Sequence, residues 1–135
     1  MSDDLDYVRA RLPGYEAYAE EDALHDSDMR VRAFVGERLT SAGARLGPFD
    51  GEVQKAYDDV LFRCMFMDQV FVKNFEHAAL DAPLVNGLVR ADRRLVELGE
   101  SIDALQPGTS DLLASLERIA EQLDYRRAPE PIVTP

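Results

Sequence analysis

The strongest constraint on this chain is its punctuation. Pro13-Gly14, Gly47-Pro48 with Gly51, Asp81-Ala82-Pro83, Pro107-Gly108 and Pro129 cut it into stretches, because proline and glycine in such places end regular structure. Within four of the stretches apolar residues recur every three or four positions, the period of one helix face. The first stripe is Leu24, Val31, Val35, Leu39, Ala42 and Leu46, and the second is Val53, Tyr57, Val60, Cys64, Met67, Phe71 and Phe75. The third is Leu84, Leu88, Ala91, Leu95, Leu98, Ile102 and Leu105, and the fourth is Leu112, Leu116, Ile119 and Leu123. No stretch alternates with period two over the length of a strand. The pattern predicts an all-α fold, an antiparallel up-down-up-down four-helix bundle with short turns, a shorter fourth helix and extended termini. Residues 1–127 are expected to form one helical-bundle domain and residues 128–135 an extended Pro-rich tail.

Details follow from the same pattern. Pro83 suits a first helical turn after Asp81 or Ala82, and Thr109 or Ser110 suits the cap of the fourth helix. Asn74 is a candidate cap for a helix that continues or restarts near His77. The second helix carries a further apolar face, Phe62, Phe66 and Val70, and is expected to be the most buried. The short fourth helix is expected to leave one bundle end partly uncovered, and an exposed apolar patch there would be a partner surface.

Charge narrows the function classes. Of 135 residues, 15 are Lys or Arg and 26 are Asp or Glu, a net charge of -11. Nucleic-acid and anionic-membrane partners are disfavoured, since phosphate binding needs an electropositive face. Residues 1 to 28 hold nine acids and two bases, so most of the excess belongs to one end. Glu16, Glu20, Glu21, Asp22 and Asp26 are the candidate contacts for a protein partner there. No apolar run is long enough to cross a bilayer, the N-terminus is acidic where a signal peptide is basic, and the single cysteine, Cys64, has no internal partner. Together these predict a soluble, cytoplasmic protein.

Three acids fall on apolar faces: Asp28 between Leu24 and Val35, Asp68 among Tyr57, Leu61 and Phe71, and Asp92 between Val85 and Leu88. A carboxylate facing a core is costly unless paired. In an antiparallel bundle whose first helix starts near residue 18, they lie about 15, 18 and 14 Å from one end. His25 is close to the same level. One reading pairs Asp28 with Arg32, and Asp68 or Asp92 with Arg63, Arg93 or Arg94. The other makes a polar layer of His25, Asp28, Asp68 and Asp92 that binds a cation or a small polar ligand.

Known catalytic patterns are missing. A di-iron carboxylate bundle needs Glu-x-x-His motifs, and neither His25 nor His77 has Glu three positions before it. Glu21 and His25 have the spacing for one metal, which a solvated acidic face also explains. Cys64 reads as inert packing, and the run Phe62-Arg-Cys-Met-Phe-Met67 reads as core. No nucleophile elbow, Gly-rich phosphate loop or Cys-x-x-Cys occurs, and no cofactor is expected.

The segment Leu12-Pro-Gly-Tyr-Glu-Ala-Tyr18, followed by Asp28-Met-Arg-Val-Arg32, resembles a group of small bacterial helical proteins of no assigned activity. They carry a Pro-Gly-Tyr-x-x-Tyr opening and then an Asp-x-x-x-Arg helix, which Pro13, Gly14, Tyr15, Tyr18, Asp28 and Arg32 match. Phe66-Met-Asp-Gln-Val70 and Arg90-Ala-Asp-Arg-Arg94 are similar more loosely. The resemblance implies a helical protein with no catalytic residues to carry over. It also implies that Asp28 and Arg32 act as a structural unit and that Tyr15 and Tyr18 fasten the incoming chain.

The functional expectation is a non-enzymatic interaction or assembly protein that meets a protein partner, or a second copy, through its acidic N-terminal end or an apolar patch. The alternative is a small-ligand or metal-binding bundle using the aspartate layer. An enzyme of unrecognised type and an acidic mimic of nucleic acid are lesser readings.

Overall fold

The computed structural model of the chain describes residues 2–18, 21–66, 68–76, 80–107 and 111–132. They form α1 (Ser2–Arg11), α2 (Glu21–Leu46), α3 (Gly51–Met65), α4 (Gln69–Phe75), α5 (Ala82–Asp103) and α6 (Asp111–Arg127). All elements are helical, but the four-helix bundle expected from the stripes is corrected in three ways.

The first correction is the N-terminus, which is a helix and not an extended arm. Leu5, Val8 and Leu12 are spaced by three and four, and Val8 and Leu12 are buried. The helix runs alongside α5 in the same direction. Arg93 meets Asp4 at 2.9 Å and Arg11 meets Glu100 at 3.0 Å, so both ends of α1 share one offset. Tyr7 sits between the Arg11 and Arg93 guanidinium groups and donates to Glu100.

The second correction is a break in the expected second helix. Phe66 and Asp68 have extended backbones, and α4 starts afresh at Gln69. Asp68 accepts from Phe71 N at 3.1 Å as its cap, the geometry Asp50 gives α3 and Asp81 gives α5. The apolar stripe conceals the break because Phe71 and Phe75 are buried on the far side of it as well. The face Phe62, Phe66 and Val70 is exposed, so α3 is not the most buried helix. Among the described residues α5 and α2 are the more buried, with ten buried residues each. Asn74 lies inside α4 rather than capping a later helix and donates to Arg127 O at 2.5 Å. His77, Met67, Thr109 and Ser110 lie outside the described residues.

The third correction is the order of packing. α2 packs on α3 and α5, and α6 packs on the same two helices, so the long helices succeed one another around the core as α2, α3, α6, α5. An up-down-up-down bundle puts α3 beside α5; here they stand at opposite corners, with α4 packed on α6 between them in sequence. α2 and α3 are antiparallel, with Gly36 facing Cys64 and Gly43 facing Tyr57. A Cβ at Gly43 would stand 2.2 Å from the Tyr57 hydroxyl, which donates to Leu39 O at 2.8 Å. α2 and α5 are parallel: Phe34 lies against Gly99, Arg38 against Asp103 and Arg45 against Ile102. The shortest of the four long helices is α3, with 15 residues against 17 in α6.

Leu39, Leu88, Leu95, Ile102, Leu116, Ile119 and Leu123 fill the centre, each full burial contributing about 1.5–3 kcal/mol. After α6, Pro129 is buried and Ile132 N donates to Pro83 O at 3.1 Å, laying this stretch along the first turns of α5. Among the described residues, no helix is long and apolar enough to cross a membrane.

Candidate functional site

Two places concentrate chemistry: a buried polar cluster in the core and an exposed apolar surface at the α3–α4 break.

The cluster is assembled from three helices and the α1–α2 connection. Asp28 and Arg32 on α2, Asp92 on α5 and Arg126 on α6 are each at most 1% exposed, so two carboxylates and two guanidinium groups offset one another inside the core. Arg32 grips Asp28 from its own helix, Nε at 3.1 Å and Nη2 at 2.8 Å from Oδ2. Its Nη1 donates to Arg63 O at 3.1 Å, tying α2 to α3. Arg126 reaches across the bundle. Its Nη2 donates to Asp28 Oδ1 at 2.7 Å, and its Nε lies 2.8 Å from Asp92 Oδ1. That second contact is a close ion pair and not an aligned hydrogen bond. The guanidinium face lies over Phe71, 4.7 Å from the ring centroid.

The other Asp92 oxygen receives both tyrosines. Tyr15 donates to Oδ2 at 2.6 Å and Tyr18 donates to the same atom. The connection that carries them is sharply folded. Gly14 has φ +88°, and the Arg30 guanidinium packs where its Cβ would be. Ala17 takes a left-handed φ of +55°, and Ser27 donates to its carbonyl.

Electrostatics follow from burial. It pushes the Asp92 carboxyl above the ordinary carboxylate range, against the pull of Arg126 and the tyrosine hydroxyls. It also drives the Tyr15 and Tyr18 phenols well up, and the Asp92 charge adds to this. Burial works against the charge on Arg126, but Asp92, Tyr18 and Asp28 together hold it firmly protonated. None of the four charged residues lines a surface cleft described below. The contacts of the cluster tie α2, α3, α5, α6 and the α1–α2 connection to one another.

The structure separates the three inward aspartates. Asp28 and Asp92 share Arg126, whereas Asp68 caps α4 and pairs with Arg127 at 3.0 Å. Burial raises the Asp68 carboxyl, but Arg127 and the Phe71 N–H outweigh it and hold it below the ordinary range. Arg63 pairs with Asp124, and Arg93 with Asp4 and Glu97. His25 is exposed. Among the described residues, no three His, Cys, Asp or Glu side chains converge as a metal site. Cys64 is buried, which pushes its thiol up to about 11 and leaves it a poor nucleophile.

Of the acidic candidates, Glu16 and Asp26 are exposed, and Asp26 accepts from Arg30 at 2.7 Å. Glu20 and the side chains of Glu21 and Asp22 lie outside the described residues. The residue that sequence reasoning missed is Arg126. Its signal was available: Leu112, Leu116, Ile119 and Leu123 continue by three to Arg126, a cation on the apolar stripe.

At the α3–α4 break the surface is apolar. Phe62 and Met65 are each 63% exposed, Phe66 55%, and Val70 46%. The Phe62 and Phe66 rings stand 4.7 Å apart. Beside them is a cleft of about 200 Å³ lined by Phe62, Arg63, Phe66, Asp68, Gln69, Val70 and Arg127. Met65 and Phe66 end α3, and the restart at Asp68 turns the chain, so side chains that a continuous helix would carry along its side gather at a corner. The expected core run Phe62–Met67 is thus corrected: among its described residues Cys64 is buried, Phe62, Met65 and Phe66 face out, and Arg63 is partly covered.

Comparison with known proteins adds no further constraint: no family model, curated protein or solved structure matches the chain.

Proposed function

We propose that this chain is a helical interaction or assembly protein that docks a protein partner on the apolar corner formed by Phe62, Met65, Phe66 and Val70. The observation that carries this reading is the gathering of four large apolar side chains, each about half exposed or more, at the α3–α4 break, where Phe62, Phe66 and Val70 line one cleft. Isolated exposed apolar residues are normal, but a contiguous group marks a contact surface. The rim suits a protein partner. Arg63 and Arg127 stand beside Asp124 and Asp68, so the rim is close to neutral although the chain is strongly acidic.

Contact through the acidic N-terminal end is the second form of this reading, supported by the exposed Glu16 and Asp26. The resemblance of the Pro-Gly-Tyr-x-x-Tyr opening to small bacterial helical proteins fits both forms and supplies no catalytic residue to either. The structural observations disfavour the ligand-binding alternative, because arginines occupy Asp28 and Asp92.

The deciding experiment is capture from host lysate with the full chain, alongside the Phe62→Asp/Phe66→Asp variant, at low and at high salt. A specific partner that is retained at high salt and lost with the variant is the expected result. A partner lost in salt and indifferent to the variant would move the contact to the acidic end, since screening weakens exposed charge pairs and not apolar contact. Sedimentation of the same two proteins separates self-association from a foreign partner.

A further inference from the structure

The geometry points to a second site: a binding cleft for a small organic acid between the end of α1 and the middle of α2. It is a cavity of about 290 Å³ lined by Arg11, Leu12, Pro13, Arg30, Ala33, Phe34, Glu37 and Arg38. That volume is close to the lower end for small-molecule sites, about 300 Å³.

Three arginines line it, each paired with one carboxylate (Glu100, Asp26 and Asp103), and Glu37 is the only acid among the lining residues. The Glu37 side chain, 74% exposed, comes only to 3.8 Å from Arg38 Nη1.

Each arginine is held from behind. Arg11 donates through Nε to Glu100 and through Nη1 to Tyr7 O. Arg30 donates through Nε to Asp26 and through Nη1 to Pro13 O. Arg38 is placed by Asp103, 3.3 Å from its Nε, and by stacking 4.0 Å over the Phe34 ring. The hydrogen bonds that hold Arg11 and Arg30 use Nε and Nη1 and leave Nη2 over, and the buried Arg38 Nε has no aligned hydrogen bond. Guanidinium groups oriented by carboxylates, with donors to spare, suit recognition of a further carboxylate.

The remaining lining residues give the ligand its body. Leu12, Pro13, Ala33 and Phe34 make an apolar wall beside the cations. A molecule with a carboxylate at one end and a short aromatic or aliphatic body fills both halves. Inorganic phosphate fills only one.

Sodium benzoate is the probe. Isotope-labelled full-length protein is titrated with it against sodium chloride at equal ionic strength, following the arginine Nε–H signals by NMR. The expected result is a saturable shift at Arg30 and Arg38, with a weaker response to inorganic phosphate. Ala33→Glu places a carboxylate beside the cleft from an exposed helical position, and is expected to weaken benzoate binding about tenfold or more at unchanged helicity. Arg38→Gln is the second variant and is expected to act in the same direction. Shifts that are linear, equal in chloride, as strong with phosphate, or intact in both variants would overturn the proposal.

Discussion

Arg126 is the residue on which the interior depends. Its guanidinium is shared between Asp28 and Asp92, and its loss would leave Asp92 buried with two tyrosine hydroxyls and no cation, while Asp28 would keep Arg32. Removing one partner from a buried ion pair costs about 3–5 kcal/mol, so Arg126→Leu is expected to destabilise the fold by that amount. The pH dependence has a definite sign. Burial already raises the folded Asp92 carboxyl, and removal of Arg126 raises it further. A carboxyl raised in the folded state is penalised once pH exceeds its unfolded value, about 3.9. The stability of Arg126→Leu should therefore fall, relative to the natural chain, from about pH 5 to about pH 8. Urea unfolding at both pH values checks it, and a loss independent of pH would show that packing and not charge dominates. This residue was visible in sequence as a cation in phase with the α6 stripe. Asp28 and Asp92 were legible as inward acids, but their pairing with Arg126 was not, because the three residues lie on different helices.

At the scale of elements, the caps explain where helices begin. Asp50, Asp68 and Asp81 each accept the backbone N–H three residues on. An exposed cap contributes about 1 kcal/mol. Asp68 also receives Arg127 Nε at 3.0 Å, so Asp68→Ala is expected to cost about 2 kcal/mol or more against about 1 for Asp50→Ala. Because the folded Asp68 carboxyl is lowered, its contribution is full above the unfolded value and fades as pH falls through the folded one. The gap between the two variants should accordingly close in acid, as thermal melts would record. Aspartate at these three positions is legible in sequence. That Asp68 interrupts a continuous apolar stripe was not, since Phe71 and Phe75 return to the same core and a helical period survives a short break.

For the whole molecule, charge and surface make separate demands. A chain of net charge -11 repels itself when compact, and added salt screens that repulsion while affecting the buried Asp28–Arg32–Asp92–Arg126 cluster little. Melting temperature is therefore expected to rise between about 0.02 and 0.5 M sodium chloride. A fall would mean that exposed pairs such as Arg30–Asp26 and Arg63–Asp124 outweigh the repulsion. The apolar corner behaves differently. Phe62 and Phe66 are more than half exposed, so the Phe62→Asp/Phe66→Asp variant used to test docking should stay within about 1 kcal/mol of the natural chain. A large destabilisation would instead mark the corner as part of the core.

Sequence by itself determined the helical class, most of the buried stripes, the acid-rich N-terminal region and the cost of inward aspartates. Each is a local or compositional property, readable from a period of three or four, a residue count or a single side chain's desolvation. Tertiary structure decided the rest: that α3 neighbours α6 and not α5, that Arg126 and Arg127 answer Asp92 and Asp68, and that Phe62, Met65 and Phe66 face outward. A stripe states that one face of a helix must be covered, but not by which helix. A second apolar face looks the same in sequence whether another element covers it or it stays exposed. That choice rests on packing among residues far apart in the chain, where Asp28 and Arg126 meet across 98 positions.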